Sequence, residues 1–284
     1  MSNHAEVSIL IPAYNCESFI GEALESMLNQ SFPGFELIIL NDGSTDNTEN
    51  EILKFKDQRI NYIRFEENKG YVHALNYGLT INKSPFICRM DSDDKCVQDR
   101  LLKQVNVFKS NPQTGICGSS AYLMKGDDSD KLITWQQPEN HIDILIKSFT
   151  ENPIIHPSVM FRKEVVDEIG FYNPTLMPAE DLDYWLRASF RFKLYNVPEP
   201  LIYYRVHDKQ ISVTKRAIQD ESAKRTRLDY LVKILNCKTD TANIIYEKLN
   251  TGRKLSLSEK LMTNSIIIKS SLPFKIKKYL ITGH

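Results

Sequence analysis

No stretch of the sequence approaches 18 uninterrupted apolar residues, so no membrane-spanning helix is expected. The N-terminal segment SNHAEVSILIPAYN lacks the basic start and long apolar core of a secretion signal, and export is not expected either. Cysteine is sparse and carries no pairing pattern. Cys16, Cys88, Cys96, Cys117 and Cys237 are scattered, odd in number and free of C-x-x-C spacing. That excludes a disulfide framework and a zinc knuckle, and it leaves reduced, mostly packed thiols in a cytoplasmic setting. There is no internal repeat and no low-complexity tract. With 42% apolar and 25% charged residues, disordered, collagenous and coiled-coil classes fail. The 284 residues fit one globular unit of ordinary size with a smaller appended piece.

Net charge is also absent, with 36 basic against 36 acidic residues, but the balance hides a polarity. Residues 214–284 hold 15 Lys and Arg against 6 Asp and Glu, a net of +9, which leaves −9 for residues 1–213. An acidic body carries a basic tail.

Within the body, strand-length apolar runs alternate with helical patterns. Val7 to Pro12, Glu36 to Leu40, Ile60 to Phe65 and Pro85 to Met90 are bounded by turn residues. Between the first two, Phe19, Ile20, Ala23, Leu24, Met27 and Leu28 line one face of an amphipathic helix. Val72 to Leu79 and the set Leu101, Leu102, Val105 and Phe108 repeat the pattern. Four such units predict an α/β fold: right-handed crossovers and a mainly parallel sheet flanked by helices. From about 115 to 213 the pattern is mixed: extended GICGSSAYLM, a turn at Gly126-Asp127-Asp128, a helix from His141, extended IIHPSVMF, a helix near Asp181 to Phe190, then the strand LIYYRV. From Ser212 onward it is helical and Lys-rich. The domain reading is therefore 1–213, in halves of about 1–110 and 111–213, followed by a basic helical region at 214–284.

Ligands of such sheets bind beyond the carboxyl ends of the strands. The loops there are Ala13-Tyr14-Asn15, Asn41 to Asp46, Asn68-Lys69-Gly70 and Asp91-Ser92-Asp93-Asp94. Asp91, Asp93, Asp94 and nearby Asp99 repel one another unless a cation or solvent intervenes, and Asp91-x-Asp93 offers hard oxygens suited to Mg²⁺ or Mn²⁺. The other reading is an acidic surface turn. Asn41-Asp42-Gly43-Ser44-Thr45-Asp46 is either a turn with a helix cap or a site where Asp42 accepts from a ligand N–H, such as a pyrimidine imide, with Tyr14 flat against the base.

The ordered series PAYN (12–15), NDGSTD (41–46), NKG (68–70) with ALNYG (74–78), MDSDD (90–94), HPSVMFRK (156–163) and AEDLDYWLR (179–187) resembles the family-2 nucleotide-diphospho-sugar glycosyltransferases of the GT-A fold. The resemblance covers about residues 5–213. It implies that Tyr14 and Asp42 hold the uracil of a UDP-sugar, with Pro12, Ala13 and Asn15 shaping the pocket and Lys69, Gly70, Met90 and Ser92 lining the nucleotide-sugar site. It implies that Asp91 and Asp93 are the DxD pair facing ribose and metal-bridged diphosphate, with Asp93 the direct ligand and His207 beside the metal. Asp181 falls where the family keeps its catalytic base, with Glu180 beside it, and His156 lies near acceptor or phosphate. Two departures stand out: Asn41 replaces a frequent aspartate, and Leu75 replaces a frequent arginine, whose charge Lys69 would then supply.

The chemistry is coherent in itself. A divalent cation neutralises charge developing on the departing diphosphate, and a carboxylate on the opposite face of the sugar takes the proton of the attacking hydroxyl, which inverts C1. The expected activity is transfer of a hexose, glucose or galactose or their N-acetyl forms, from UDP to a glycan or lipid-linked acceptor of cell-surface polysaccharide synthesis. A sugar-1-phosphate nucleotidyltransferase would need a Gly-rich, Arg-containing loop after the first strand, and AYNCESFIG is not one. A non-catalytic sugar-binding subunit would have no use for Asp42, Asp93 and Asp181 together. In the tail, Ile266 to Ile281 interleaves apolar residues with Lys269, Lys275, Lys277 and Lys278. This suits peripheral contact with the anionic inner face of the cell membrane; the rival is a helix packed on the body. No nucleic-acid motif accompanies these lysines.

Overall fold

A computed structural model describes residues 5–125, 132–207, 210 and 214–283. The expected turn at Gly126-Asp127-Asp128 and the domain boundary at 213 lie outside the described residues.

Strand β1 (Val7–Ala13) is buried at every position, as an apolar run at the centre of a parallel sheet must be. Its neighbours are β2 (Phe35–Asn41) and β4 (Phe86–Arg89), and β3 (Ile60–Arg64) lies beyond β2, all parallel. Alternation splits the side chains between two cores. Ile9, Ile11, Leu37 and Ile39 pack with helices α1 (Ile20–Leu28) and α4 (Arg100–Ser110), whereas Leu10, Ile38 and Leu40 pack on the other face with α3 (Tyr71–Ile81).

The parallel arrangement holds for this first half, and the second half is mixed. The sheet order is β3-β2-β1-β4-β8-β6-β9-β5 with β7 beside β6, where β5 is Lys95–Cys96, β6 Thr114–Lys125, β7 Ile133–Trp135, β8 Met160–Arg162 and β9 Lys193–Val206. β8 runs antiparallel to both β4 and β6, while β9 runs parallel to β6. The expected extended run over IIHPSVMF is interrupted: His156–Ser158 form a 3₁₀ turn before β8. Pro157 has no N–H to give a ladder, and the Ser158 hydroxyl closes the turn on the Ile155 carbonyl at 2.7 Å.

The order 3-2-1-4 places the reversal of strand order between β1 and β4. Their ladder ends at Leu10 with Arg89, while β1 stays paired with β2 to Ala13. Pro12 lies past that last β1–β4 pair, so its missing N–H costs the ladder nothing. The two strands part at their carboxyl ends, and the loops 13–15 and 91–94 flank the crevice, the usual ligand position in such sheets. The other two loops are bound to it. Asn15, in the left-handed region at φ 47°, accepts from Thr45 N at 2.9 Å. At Gly43, φ is +71° and a Cβ would stand 2.6 Å from the Glu67 carbonyl carbon, so only glycine admits this contact between the loops at 41–46 and 67–70.

Among the described residues four helices follow β9: α8 (Arg216–Leu235), α9 (Thr239–Thr251), α10 (Leu257–Lys269) and α11 (Phe274–Thr282). They pack beside α5 (His141–Ser148). Arg227 Nε donates to the Ser148 carbonyl at 2.8 Å, Asn250 to Phe149 O at 3.1 Å, and Lys275 pairs with Asp143. Ile267, Ile276 and Leu280 are buried in the same core as Phe149. Ile267, Ile276 and Leu280 of the 266–281 segment therefore face the body, as the rival reading of a packed helix expects of them.

Candidate active site

The acidic loop follows β4 directly, and Arg89, the last residue of that strand, sets its geometry. The buried guanidinium clasps both oxygens of Asp91, Nη1 donating at 3.1 Å to Oδ2 and Nη2 pairing with Oδ1. Asp93 Oδ2 lies 3.0 Å from His207 Nε2, and the His207 ring stacks on Phe19 at 5.5 Å. Asp94 is buried; its Oδ1 accepts from Arg205 N at 2.8 Å and its Oδ2 has no hydrogen-bond partner. One oxygen or more from each of Asp91, Asp93 and Asp94 falls within a 4.8 Å cluster. Burial, and then the neighbouring carboxylates, push the Asp94 acid well above its ordinary range. Burial outweighs the Arg89 charge at Asp91, which rises to about 6. Three converging carboxylates, one with an orphaned buried oxygen, fit a hard divalent cation. Asp99 stands apart, paired with Lys103 at 3.1 Å.

A second carboxylate pair opens helix α7 (Glu180–Ala188). Asp181 Oδ1 accepts from Leu182 N at 2.7 Å, and Oδ2 accepts from Asn152 Nδ2 at 2.5 Å. The Tyr71 hydroxyl donates to Glu180 Oε1 at 2.8 Å, while Glu180 Oε2 is buried without a partner. His156 Nδ1 stands 3.7 Å from Glu180 and 3.9 Å from Asp181, beyond hydrogen-bonding distance, and its Nε2 meets the Tyr172 hydroxyl at 3.3 Å. Burial, helped by the Arg89 charge, holds His156 well below its usual range, so the ring is neutral. Burial raises Asp181, and the same Arg89 charge opposes that rise. Arg89 is thus felt by Asp91, Asp94, Glu180 and Asp181 alike, and the Asp181 charge is felt at Asp91. The Asp91, Asp93 and Asp94 cluster and the Glu180–Asp181 pair thus lie within the field of one buried guanidinium.

Several expected contacts take different forms. Of PAYN, Pro12 and Ala13 are buried, whereas the Tyr14 ring is 47% exposed and available for stacking. Asp42 is 1% exposed, and its two oxygens receive Lys69 N at 2.9 Å and Gly70 N at 2.8 Å. Through these two bonds it braces the 68–70 loop. Lys69 Nζ faces Glu67 at 3.6 Å on the surface. Asn41 donates to the Tyr62 hydroxyl at 2.8 Å, and Leu75 is core. The Met90 side chain is fully buried with its sulfur 3.2 Å from Arg100 Nη1, so it lines the core rather than a ligand. Glu180, which the sequence places beside the acceptor or phosphate with His156, is buried and accepts from the Tyr71 hydroxyl at 2.8 Å. Ser92 is half-buried in the acidic loop.

Sequence reasoning missed Arg89, Asn152 and Tyr71. Only Arg89 left a local trace, as a lone charge in an otherwise apolar strand two residues before Asp91.

Residues 8–170 match the model of the family described as glycosyl transferase family 2. The chain belongs to that family. Among curated relatives of this family 2 glycosyltransferase, an uncharacterized glycosyltransferase of Haemophilus influenzae is 31% identical over 246 residues, covering 83% of this chain and 76% of the relative. The putative teichuronic acid biosynthesis glycosyltransferase TuaG of Bacillus subtilis is 31% identical over 214 residues, covering 74% and 82%. Among solved structures, Staphylococcus aureus TarS 1-349 in complex with UDP-GlcNAc superposes with a TM-score of 0.66 at 18% identity, covering 92% of this chain and 79% of that one, which shows the shared GT-A fold.

Glu180 gives this family 2 glycosyltransferase a measurable pH signature. Burial, then the neighbouring Asp181, raise its acid from 4.5 to about 8. Between those values the folded protein keeps a proton that the unfolded chain has released, so this group lowers stability as pH rises from 4.5 to 8. Glu180→Gln removes that loss. Its Tm should exceed the wild-type value by roughly 3 °C or more at pH 8.5 and by much less at pH 5. A Tm difference independent of pH would refute the assignment.

Proposed function

We propose that this enzyme transfers a hexose, glucose or galactose or their N-acetyl forms, from a UDP-sugar to a hydroxyl of a glycan or lipid-linked oligosaccharide during surface polysaccharide synthesis, with inversion and with Mn²⁺ or Mg²⁺. The observation that carries this reading is the convergence of Asp91, Asp93 and Asp94 directly after β4, with the Glu180–Asp181 pair near enough to feel the charge of Arg89, which clasps Asp91. TuaG, a putative teichuronic acid biosynthesis glycosyltransferase, and the UDP-GlcNAc complex of TarS support the polymer class and the nucleotide.

Each residue has a physical task in this reading. Tyr14 stacks on uracil, and Asp42 fixes the backbone of Lys69 and Gly70 beneath the nucleotide. Asp93, with Asp91, Asp94 and His207 beside it, would hold the cation, which supplies Lewis-acid neutralisation of the diphosphate. Asp181 Oδ2 accepts the acceptor hydroxyl proton as that oxygen bonds to C1, while the C1–O bond to the diphosphate breaks and UDP leaves with the electron pair. Asn152 and Leu182 N hold the base in place. His156, neutral, orients the cleft wall through Tyr172. The proposed setting is the cytoplasmic side of the membrane, and the described residues contain no helix long and apolar enough to cross it.

A panel of nucleotide sugars assayed for nucleotide release tests this reading. UDP-hexoses should be turned over at least roughly tenfold faster than GDP- or CMP-sugars, and EDTA should abolish the release. Faster turnover of a GDP-sugar, or full activity in EDTA, would overturn it.

A further inference from the structure

With Ile267, Ile276 and Leu280 turned inward, other apolar residues of the tail remain on the outside. Helix α10 starts at a complete capping box, Ser256 with Glu259. Leu257, Leu261 and Ile268 follow at spacings of four and seven residues, one line along the helix, and are 75%, 66% and 62% exposed. Thr263 and Ile267 hold a different side of the helix against the body. Lys277 Nζ donates to the Ile268 carbonyl at 2.9 Å, which brings the first turns of α11 beside the end of that line. Phe274, 82% exposed, opens α11 there. Four large apolar side chains left in water on adjoining helices are an unusual patch for a surface.

The charge around them favours one occupant. Between residues 253 and 278 seven Lys and Arg face Glu259 alone. Glu259 is taken by Arg253 at 2.5 Å, and Lys254, Lys260, Lys269 and Lys278 are exposed. A second copy of this surface would bring like charges together. An anionic lipid headgroup layer accepts both the apolar line and the lysines.

We infer that the Leu257, Leu261, Ile268 and Phe274 surface, rimmed by lysines, seats the enzyme on an anionic membrane. This deepens the reading of a membrane-borne acceptor, and the two fail separately, because nucleotide release tests the donor chemistry without any vesicle. The whole chain should sediment with phosphatidylcholine vesicles containing phosphatidylglycerol and not with phosphatidylcholine alone. Binding should fall steeply at roughly 0.5 M salt. The L261S/I268S/F274S variant should bind at least roughly tenfold more weakly, and K260E/K269E similarly, since insertion and charge both contribute. Tm and UDP release should stay at wild-type values, because these side chains are exposed and far in sequence from the cleft. Unchanged binding by either variant, equal binding to neutral vesicles, no binding at all, or a dimer that L261S splits would each overturn the assignment.

Discussion

Asp181→Asn is expected to lower the rate of sugar transfer by roughly 10³-fold, while the KM for the UDP-sugar changes little. The prediction follows from what the amide retains and what it loses. Its single oxygen can still accept from Asn152 or from Leu182 N, though not from both, so the fold should lose only about 1–2 kcal/mol. The proton acceptor, by contrast, is gone. Asn152→Ala separates positioning from proton transfer: it leaves the carboxylate but frees one oxygen, and a smaller fall in kcat is expected. The wild-type acid limb provides a further check. The base works only when ionised, and burial raises its pKa, so kcat/KM should decline at a higher pH than for an ordinary aspartate. The dyad with Glu180 titrates as a pair, and the limb reports the pair. Full transfer activity in Asp181→Asn would remove Asp181 from the mechanism.

How far the sequence foretells this site depends on how local the signal is. The acidic loop and the alternation of strand and helix are contiguous patterns, and β1, β2, β3 and β4 fall where the apolar runs place them. Arg89 sits in the strand beside the acidic loop, but its influence on Asp181 spans 92 positions and depends on β8 lying next to β4. Asn152 reaches Asp181 across the turn at His156–Ser158, which the periodicity of IIHPSVMF does not reveal. Met90 and Asp42 carry the motif's letters but point inward, because packing on Arg100 and on the 67–70 backbone decides their direction. In the tail, composition announces an amphipathic region, and only the fold separates Ile267 from Ile268.

Asp93→Asn should reduce kcat/KM for the UDP-sugar by roughly 10³-fold or more and abolish tight Mn²⁺ binding in a calorimetric titration, with little change in Tm. The three clustered carboxylates differ in what else holds them. Asp91 is clasped through both oxygens by a buried guanidinium, and Asp94 is buried with one oxygen on Arg205 N. Asp93 is as exposed as Asp91, 26% against 27%, but instead of a buried guanidinium it meets His207, whose ring nitrogen can itself ligate a cation. Asp93 therefore has the oxygens most open to an entering ion. Asp91→Asn should behave in the opposite way. It strands the Arg89 charge in the interior, a loss of about 3 kcal/mol in stability that a melting curve would register before any assay. The contrast discriminates between the two aspartates: metal affinity lost at Asp93 with the fold intact, and stability lost at Asp91. If Asp93→Asn bound Mn²⁺ as tightly as the wild type, the cation would have to lie elsewhere in the cluster, and the assignment of Asp93 as its principal ligand would fail.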